Sequence, residues 1–379
     1  MRAEIISIGT ELLLGHIVNT NAAYLARKLA ETGIDLYHQM TVGDNPLRLY
    51  ESLRRTLDRS DIVITTGGLG PTVDDITIRT VAKLLNRRLI PKGVKWLRNK
   101  VGTAPGLIAE HKGKIIICLP GPPRELEPMF ANDALPYLRK KSGGWTLLSR
   151  AIKTTGLAES QVNAKVKDLL DIKPPTTVGI YAKLGEVTLK VMSKAKGKKA
   201  ARRDIARVEK TVVSRLKNNI FGYDDQTLEE AVGKALRKKK RTIAVAESCT
   251  GGLVSSRITN VSGSSDYFLM GTVTYANKAK EKILGVPKEA LKKRGAVSKE
   301  VAAMMAKGVR KLAGAYIGIG ITGIAGPTGG TAKKPVGLVY IALVTDKKRI
   351  VRECRFRGSR KEIKFQASQV ALDMIRRNA

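Results

Sequence analysis

DIVITTGG, from Asp61 to Gly68, is the stretch that decides the fold. It indicates a fully apolar strand followed by a glycine-rich turn. It is the third strand of an alternation, since AEIISIG and IDLYHQMTVG precede it, KIIICLPGPP follows it, and helical patterns lie between them. The order βαβαβαβ predicts a doubly wound, mostly parallel sheet, with ligands bound at the carboxyl ends of its strands.

Composition sets the broad class. The chain has 379 residues, 43% of them hydrophobic, which suffices for two or three packed domains. No apolar run reaches the roughly 18 residues that cross a bilayer, and MRAEIISIG begins a strand, so we expect a cytoplasmic protein without membrane contact. Cys118, Cys249 and Cys354 lie far apart without CxxC spacing, which predicts neither disulfides nor a structural metal.

The patterns divide the chain into three predicted domains. Residues 1–141 form the first α/β domain. After the SGG stretch at Ser142–Gly144, residues 149–222 read as a small α+β module without paired carboxylates, histidine or cysteine, and therefore as non-catalytic. The βα alternation resumes in residues 226–379, which predicts a second α/β domain of three layers.

The net charge of +36 would attract any polyanion. The excess lies mainly in the second half of the chain, where two clusters stand out, KGKKAARR at Lys196–Arg203 and RKKKR at Arg237–Arg241. No aromatic residues interleave with these charges as a stacking platform would require. A solvated surface that steers nucleotides is therefore favoured, and nucleic-acid contact stays open as an alternative.

The turn from Thr65 to Thr77, TTGGLGPTVDDIT, combines glycines with adjacent carboxylates. Glycines let a phosphate approach backbone N–H groups, whereas Asp74 and Asp75 would repel it unless they hold a divalent cation such as Mg²⁺, Mn²⁺ or Co²⁺. The alternative is that both aspartates only cap the helix expected to begin near Asp74. The glycines of this turn are Gly67, Gly68 and Gly70.

Three further turns of the first domain end predicted strands, and we expect all four turns to converge on one crevice. Their candidate residues are Gly9, Thr10 and Glu11 in SIGTELLLG, Asp44 in TVGDN, and Gly121 and Glu125 in LPGPPRE.

Together GTELLLGHIVNTN, TVGDN, TTGGLGPTVDD and LPGPPRE resemble the molybdopterin-binding type of domain found in the CinA family. The resemblance implies a metal-dependent pyrophosphatase that splits ADP-ribose into AMP and ribose 5-phosphate. It adds Asn21 and Thr72 to the substrate contacts and implies Asp44, Asp74 and Asp75 as metal ligands. This chain is short between Ile90 and Gly102, where members of the family carry a longer helical insertion.

In the last domain, VAESCTGGLVSS at Val245–Ser256 offers a serine nucleophile, a reactive thiol or only a helix start at Gly251. A serine needs a base. His16, His38 and His111 all lie in the first domain, which leaves Lys278 and Lys280 of VTYANKAK as candidates. Without a histidine beside it, Cys249 is expected to be a packed thiol.

AESCTGG, GSS, VTYANKAKEKILGV, ITGIAGPTGGT and KPVG resemble the carboxy-terminal domain of the CinA family, a nicotinamide mononucleotide deamidase. The resemblance implies Ser248 as nucleophile, Lys280 as its base and Tyr275 as a positioning or proton-relaying residue, with no metal. N–H groups near Thr250–Gly252 would hold the oxyanion. The implied substrate contacts are Thr250, Gly251, Gly252, Ser264, Asn277, Gly323, Ala325, Gly326 and Gly329.

The middle module resembles the KH-like insert of the same family, but it lacks the GXXG loop of a nucleic-acid-binding KH domain. The sequence therefore predicts a two-site pyridine nucleotide enzyme with nicotinamide mononucleotide and ADP-ribose as substrates, associated as a homodimer. Two alternatives stay open: a deamidase whose first domain is inactive, and a basic nucleic-acid-binding accessory protein.

Overall fold

The structure is a computed structural model that describes residues 1–70, 76–86 and 94–379. These residues group into two compact units. The first comprises Met1–Ser149, Lys173–Thr176 and Met192–Ala206, and the second comprises Arg150–Ile172, Thr177–Val191 and Arg207–Ala379. The predicted fold class is confirmed, since parallel-rich sheets carry helices on their faces and a smaller sheet lies between them in the chain.

The first sheet is flanked by helices. Its strands are β1 (Arg2–Ile8), β2 (Asp35–Val42), β3 (Ile62–Thr66), β4 (Val94–Leu97), β5 (Gly106–His111) and β6 (Lys114–Leu119), in the order β2-β1-β3-β6-β5-β4. The helices are α1 (Thr10–Leu13), α2 (Thr20–Glu31), α3 (Pro46–Arg59), α4 (Thr77–Leu84), α5 (Pro123–Met129) and α6 (Leu135–Lys141), the last two joined by a π-helical segment at Phe130–Ala134.

Strand β3 lies in the middle of this sheet, parallel to β1 on one side and to β6 on the other. Ile62 and Ile64 pack into one hydrophobic core, while Val63 packs into a second core on the opposite face. A strand that faces two cores has to be apolar at successive positions, which is the pattern of DIVITTGG.

The far edge of the sheet differs from the prediction, which contained only β6 in this region. Strands β5 and β6 form an antiparallel hairpin, and β4 pairs antiparallel with β5. Lys112 and Gly113 connect the hairpin with φ angles of 46° and 76°. Two successive positive φ angles suit the right-handed twist of paired strands, so a Lys-Gly pair can close this hairpin.

The middle of the chain forms the predicted α+β module. It consists of β7 (Trp145–Thr154), α7 (Glu159–Leu170), β8 (Thr176–Lys183), β9 (Glu186–Lys196), α8 (Lys198–Leu216), a 3₁₀ turn (Lys217–Asn219) and β10 (Ile220–Tyr223). The sheet order is β10-β7-β9-β8, and β10 runs antiparallel to β7.

The last part of the chain forms a five-stranded sheet with helices. The strands are β11 (Ile243–Glu247), β12 (Phe268–Val273), β13 (Ile317–Gly323), β14 (Leu338–Val344) and β15 (Arg349–Arg355), in the order β12-β11-β13-β14-β15. The helices are α9 (Leu228–Lys239), α10 (Leu253–Thr259), α11 (Asn277–Leu284), α12 (Lys288–Arg294), α13 (Lys299–Ala313) and α14 (Arg360–Asn378), with a 3₁₀ turn at Ser264–Asp266.

Strand β11 is central and fully buried, and it runs parallel to both β12 and β13. The carboxyl ends of these three strands therefore meet at one edge of the sheet. In the part of the chain that the structure describes, no helix is both long and apolar enough to cross a membrane.

Candidate active sites

Ser248 directly follows β11 and is held in place by its own backbone. Its N–H donates to the carbonyl oxygen of Ile321 on β13 at 3.0 Å, and the side chain is 9% exposed. Helix α10 begins at Leu253 and not at Gly251 as expected, because Gly251 and Gly252 adopt φ angles of 61° and 87°. A left-handed backbone cannot continue a right-handed helix, so the two glycines turn the chain sharply after the serine.

Glu247 caps helix α10 from within the protein. This fully buried carboxylate accepts hydrogen bonds from the N–H groups of Val254 and Ser255 at 3.1 and 2.9 Å, and from the Ser255 hydroxyl at 2.8 Å. Buried helix termini need such partners, and a carboxylate also complements the positive end of the helix. Glu247 thereby fixes the turn that carries Ser248, a role that the sequence analysis did not assign to it.

Lys280 is the residue that completes the site. Its Nζ atom lies 3.1 Å from the Ser248 Oγ atom, and the side chain is 1% exposed. The same Nζ atom lies 2.8 Å from the carbonyl oxygen of Thr274 and 3.0 Å from that of Tyr275. Burial lowers the pKa of Lys280 below its ordinary value, which favours the neutral amine.

The three oxygen neighbours of Lys280 can accept three N–H groups of an ammonium. In the neutral amine, which the lowered pKa favours, the same contacts divide between two N–H groups and one lone pair. The two backbone carbonyls can only accept, so they take the two N–H groups. The lone pair then faces the hydroxyl of Ser248, which is the arrangement that a general base requires. Lys278, the other candidate base, is exposed at the start of α11.

Tyr275 contacts Lys280 through its main-chain carbonyl and not through its phenol ring. The ring is part of a residue that is 60% exposed, and its hydroxyl lies 2.9 Å from the Nη2 atom of Arg360. Arg360 also donates from Nη1 to the carbonyl oxygen of Gly326 at 2.7 Å. The expected proton relay through the phenol is therefore not supported by a contact, while Arg360, which the sequence analysis missed, joins two predicted segments.

A second cation approaches the Ser248 turn from the same helix. Lys364 lies one turn after Arg360 on α14, and its Nζ atom is 3.5 Å from the position that a β-carbon on Gly251 would occupy. Two cations at this spacing lie on one face of a helix. The only sequence signal for them was the Ser359 cap and the basic start of the closing helix.

Four of the other predicted substrate contacts lie at the end of β13 or in the turn that follows it. Gly323 ends β13, Ala325 is buried, and Gly326 and Gly329 adopt φ angles of 73° and 85° in the turn held by Arg360. Asn277 is exposed at the first position of α11, one turn before Lys280.

Ser264, a predicted substrate contact, lies away from Ser248 in the structure. It lies in the 3₁₀ turn before β12, and β12 runs parallel to β11 with Phe268 opposite Ile243. Ser264 therefore lies at the amino edge of the sheet, whereas Ser248 lies at the carboxyl edge. Parallel strands of this length separate the two edges by about 15 Å at about 3.3 Å per residue.

The predicted oxyanion donors are partly occupied by the protein itself. The Gly251 N–H donates to the carbonyl oxygen of Ser248 at 3.1 Å, so it closes the turn and is not available. Among the described residues, the N–H groups of Thr250 and Gly252 have no acceptor. These two groups are the donors that remain at the end of β11.

Cys249 is packed as expected. The residue belongs to the hydrophobic core of this domain, and burial raises the pKa of its thiol to about 12. A thiol with such a pKa is protonated at neutral pH and is a poor nucleophile.

The first unit contains a cavity of about 380 Å³ at the carboxyl ends of its parallel strands. All four predicted turns contribute to it, and its lining includes Gly9, Glu11, Asp44, Gly67, Gly68, Gly70, Gly121 and Glu125. At Gly67, which has a φ angle of 96°, a β-carbon would come within 2.3 Å of the carbonyl oxygen of Ile8. A side chain there would push apart two of the turns that form the cavity.

Asp44, Glu125 and Asn21 form hydrogen bonds with neighbouring residues at this cavity. Asp44 accepts from the N–H and hydroxyl groups of Thr10 at 2.9 and 2.8 Å. Glu125 accepts from the side-chain amide of Asn99 at 2.7 Å, a contact that the sequence analysis missed. Asn21 donates to the carbonyl oxygen of Gly121 at 2.7 Å, while its own Oδ1 atom is buried and has no partner among the described residues.

Of the three predicted metal ligands, Asp44 lies among the residues that the structure describes. Thr72, Asp74 and Asp75 lie outside the described residues, and α4 begins at Thr77. Within residues 1–70, 76–86 and 94–379, no three His, Cys, Asp or Glu side chains lie close enough to hold a metal ion.

Three family models match the chain in succession. They are described as "Probable molybdopterin binding domain" over residues 4–140, "Damage-inducible protein CinA KH domain" over residues 149–222 and "CinA C-terminal domain" over residues 225–379.

Curated relatives match over the full length. A CinA-like protein of Kosmotoga olearia is 46% identical, with 100% of this chain and 98% of the relative covered. A competence-damage inducible protein of Moorella thermoacetica is 47% identical, with 100% and 99% covered. The Kosmotoga alignment has 407 positions against the 379 residues of this chain, so at least 28 of them face a gap in this chain.

Among solved structures, the competence/damage inducible protein CihA from Agrobacterium tumefaciens is 39% identical. The match covers 39% of this chain and 90% of that protein, with a TM-score of 0.38.

Proposed function

The chain belongs to the CinA family, and on that premise we propose that its second unit hydrolyses the carboxamide of nicotinamide mononucleotide to nicotinate mononucleotide and ammonia. The observation that carries this proposal is the Lys280 Nζ atom, which is buried 3.1 Å from the Ser248 Oγ atom and has no carboxylate partner among the described residues. A desolvated lysine beside a serine is one of the recognised ways to activate a hydroxyl nucleophile without histidine.

The first half of the reaction forms an acyl-enzyme. Neutral Lys280 takes the proton of the Ser248 hydroxyl while Oγ attacks the carboxamide carbon. The N–H groups of Thr250 and Gly252 would hold the resulting oxyanion. When the tetrahedral intermediate collapses, the C–N bond breaks, and Lys280 returns the proton to the leaving nitrogen, which departs as ammonia.

The second half repeats these roles with water. Lys280 takes a proton from a water molecule that attacks the ester carbon, and then returns it to Ser248 Oγ as the C–O bond breaks. The carboxylic acid and free serine result, and the acid then gives its proton to the released ammonia, so that nicotinate mononucleotide leaves as the carboxylate and every atom and charge is accounted for. The two carbonyls that bind the Lys280 N–H groups keep its lone pair in the same direction in both halves.

The phosphate of the substrate would be drawn to α14. Arg360 and Lys364 bring two positive charges to the serine turn, and no ion pair within the described residues neutralises either of them. Arg360 also fixes the GIAGPTGG turn by its bond to the Gly326 carbonyl. This arrangement would select a phosphorylated amide over the free base.

The test is a product assay with nicotinamide mononucleotide in the presence of a chelator, followed by separation of ammonia and nicotinate mononucleotide. The wild-type chain should form both products in equal amounts, and Ser248→Ala should form neither. Asp44→Ala, in the first unit, serves as the control that retains activity. Full activity of Ser248→Ala would refute the proposal.

As a second function, we propose that the first unit hydrolyses the pyrophosphate of ADP-ribose with a divalent metal. The supporting observation is the cavity where four glycine-containing turns meet around Glu11, Asp44 and Glu125. Carboxylate oxygens suit Mg²⁺, Mn²⁺ or Co²⁺, and Asp44 with Asp74 and Asp75 would hold the ion. When bound, such an ion neutralises the charge of the pyrophosphate oxygens.

This second function has its own assay. AMP should form from ADP-ribose when one of the three metals is added, and Asp44→Asn should abolish it while Ser248→Ala leaves it intact. Absence of AMP with every metal would favour the alternative in which only the deamidase site works.

A further inference from the structure

The second unit contains a cavity of about 480 Å³ that plays no part in the proposed chemistry. It lies between α9 and the segment that leads from α8 into β10, and Lys217, Lys234 and Lys238 line it together with Phe221 and Tyr223. No carboxylate is among its lining residues. The cavity is therefore a concentration of positive charge with an aromatic wall.

The three lysines are free to bind an external anion. All are exposed, and within the described residues none of them forms an ion pair. Lys234 and Lys238 are four residues apart on α9 and so lie on the same face of that helix. Lys217 approaches from the 3₁₀ turn, at the opposite wall.

The wall that carries Lys217 is fixed by Arg376 on α14. The Nη2 atom of Arg376 donates to the carbonyl oxygen of Asn218 at 2.6 Å, and its Nη1 atom donates to that of Ile220 at 3.2 Å. Asp373 neutralises this arginine at 2.7 Å. Arg376 is thus a structural residue that holds the turn, and it leaves the lysines as the available charges.

In the basic cluster Arg237–Arg241, too, the arginine side chains have partners within the protein, and the lysine side chains have none among the described residues. Arg237 bonds Asp266 and the carbonyl of Ser262, and Arg241 bonds the carbonyl of Asn378. The arginines therefore secure the domain, whereas Lys238 and its lysine neighbours remain at the surface. The sequence has five successive basic residues here, and the structure shows that the lysines among them are the ones available to an external anion.

We propose that this cavity binds the phosphodiester backbone of a nucleic-acid strand. Several ammonium groups distributed around one cavity, on a chain of net charge +36, suit a row of phosphates better than a single phosphate. Arg150 already covers the Tyr223 ring at 5.1 Å from its centroid, so the ring offers at most one face to a base. Recognition of the backbone without base readout follows, which means binding that depends on salt and not on sequence.

The experiment measures fluorescence anisotropy of mixed-sequence single-stranded DNA and RNA oligonucleotides with the full chain, at salt concentrations from about 50 to 200 mM. The test variant replaces Lys217, Lys234 and Lys238 by Gln. Its control replaces Lys293, Lys347 and Lys348 by Gln, three exposed lysines of the same unit without ion pairs among the described residues. Both variants lose the same charge.

We expect the wild-type chain and the control to bind with similar affinity, and the test variant to bind at least about tenfold more weakly at the lowest salt. Each phosphate contact contributes about 0.7 to the salt slope for a single strand, so the test variant should lose about 2 from that slope. Replacing the same three lysines by Arg should restore binding, and retained deamidase activity would show that the test variant is folded.

Three outcomes would overturn the proposal. One is the absence of binding by the wild-type chain at low salt, and another is equal weakening by both variants. The third is that inorganic phosphate, or vesicles containing anionic phospholipid, bind at these lysines while oligonucleotides do not.

Discussion

The two units place glycine-containing turns at the same edge of a parallel sheet, yet they build different kinds of site. In the second unit the reactive groups are buried and touch one another, since Lys280 meets Ser248 and Glu247 caps the adjoining helix. In the first unit Glu11 and Asp44 line a cavity, and Asp44 accepts hydrogen bonds from the N–H and hydroxyl groups of Thr10. Burial lowers the pKa of Lys280, the base proposed for the second site, whereas the function proposed for the first site requires a divalent metal ion.

The largest effect should come from breaking the buried pair. Lys280→Met and Ser248→Ala should each lower the rate of ammonia release by about 10⁴-fold, because neither residue can replace the other as base or nucleophile. Lys278→Met, two residues away and exposed, is the matched control and should keep nearly full activity. If Lys278→Met were as damaging as Lys280→Met, the assignment of the base would be wrong.

The next test compares one carboxylate from each site, Glu247 in the second unit and Asp44 in the first. Glu247→Ala should lower the free energy of unfolding by about 2–4 kcal/mol, because it leaves the Val254 and Ser255 N–H groups buried without acceptors. Asp44→Ala should cost less than about 1 kcal/mol, since its partner Thr10 is exposed to water. Urea unfolding measures both, and equal losses would remove the contrast between the buried and the open site.

A smaller effect concerns the cation that joins two segments of the second site. Arg360→Ala should raise KM for nicotinamide mononucleotide by about tenfold with a smaller change in kcat, because the Gly326 turn and Tyr275 lose their common partner. Arg357→Ala, exposed and three residues earlier, should leave KM unchanged. A large fall in kcat with normal KM would instead assign Arg360 to the chemical step.

The smallest effect is a pH dependence of stability. Burial lowers the folded-state pKa of Lys280 below the ordinary 10.5, so between the two values the unfolded chain binds more protons than the folded chain. Stability should therefore rise with pH across that window, by up to about 1.4 kcal/mol per pH unit, relative to Lys280→Met. Paired unfolding curves from pH 7 to above pH 10 measure the difference, and parallel curves would mean that the lysine pKa is not depressed.

The deamidase rate should follow the same group. It should increase with pH up to the lowered pKa of Lys280 and then level off, because only the neutral amine can accept the serine proton.

Much of the fold could be predicted from short patterns. DIVITTGG indicated a central strand because a strand between two cores is apolar at every position, and β11 repeated this pattern. The antiparallel edge formed by β4 and β5 was not predicted, because alternating strand and helix patterns favour parallel strands with a helix between them. A Lys112-Gly113 turn instead lets β5 and β6 pair directly.

The second site was predictable only in part. The residue types that a hydrolysis needs pointed to the turn of Ser248 and to Lys278 or Lys280 as the base, and the family resemblance then selected Ser248 and Lys280. Glu247, by contrast, reads from the sequence as one more polar residue after a strand. Arg360 lies 112 residues beyond Ser248, and no local pattern connects them. Ser264 was assigned by its neighbouring motif, although the direction of β12 carries it to the opposite edge.

The packing of Cys249 next to the nucleophile has a consequence for chemical damage. Burial raises the pKa values of Cys118 and Cys249 to about 12 and that of Cys354 to about 11, so none of these thiols is a ready target for oxidants. An amidase that depends on a reactive thiolate stops when peroxide oxidises its sulfur. The serine and lysine proposed for the second site are not oxidised in this way, so the proposed amidase activity should persist at peroxide concentrations that inactivate thiol enzymes.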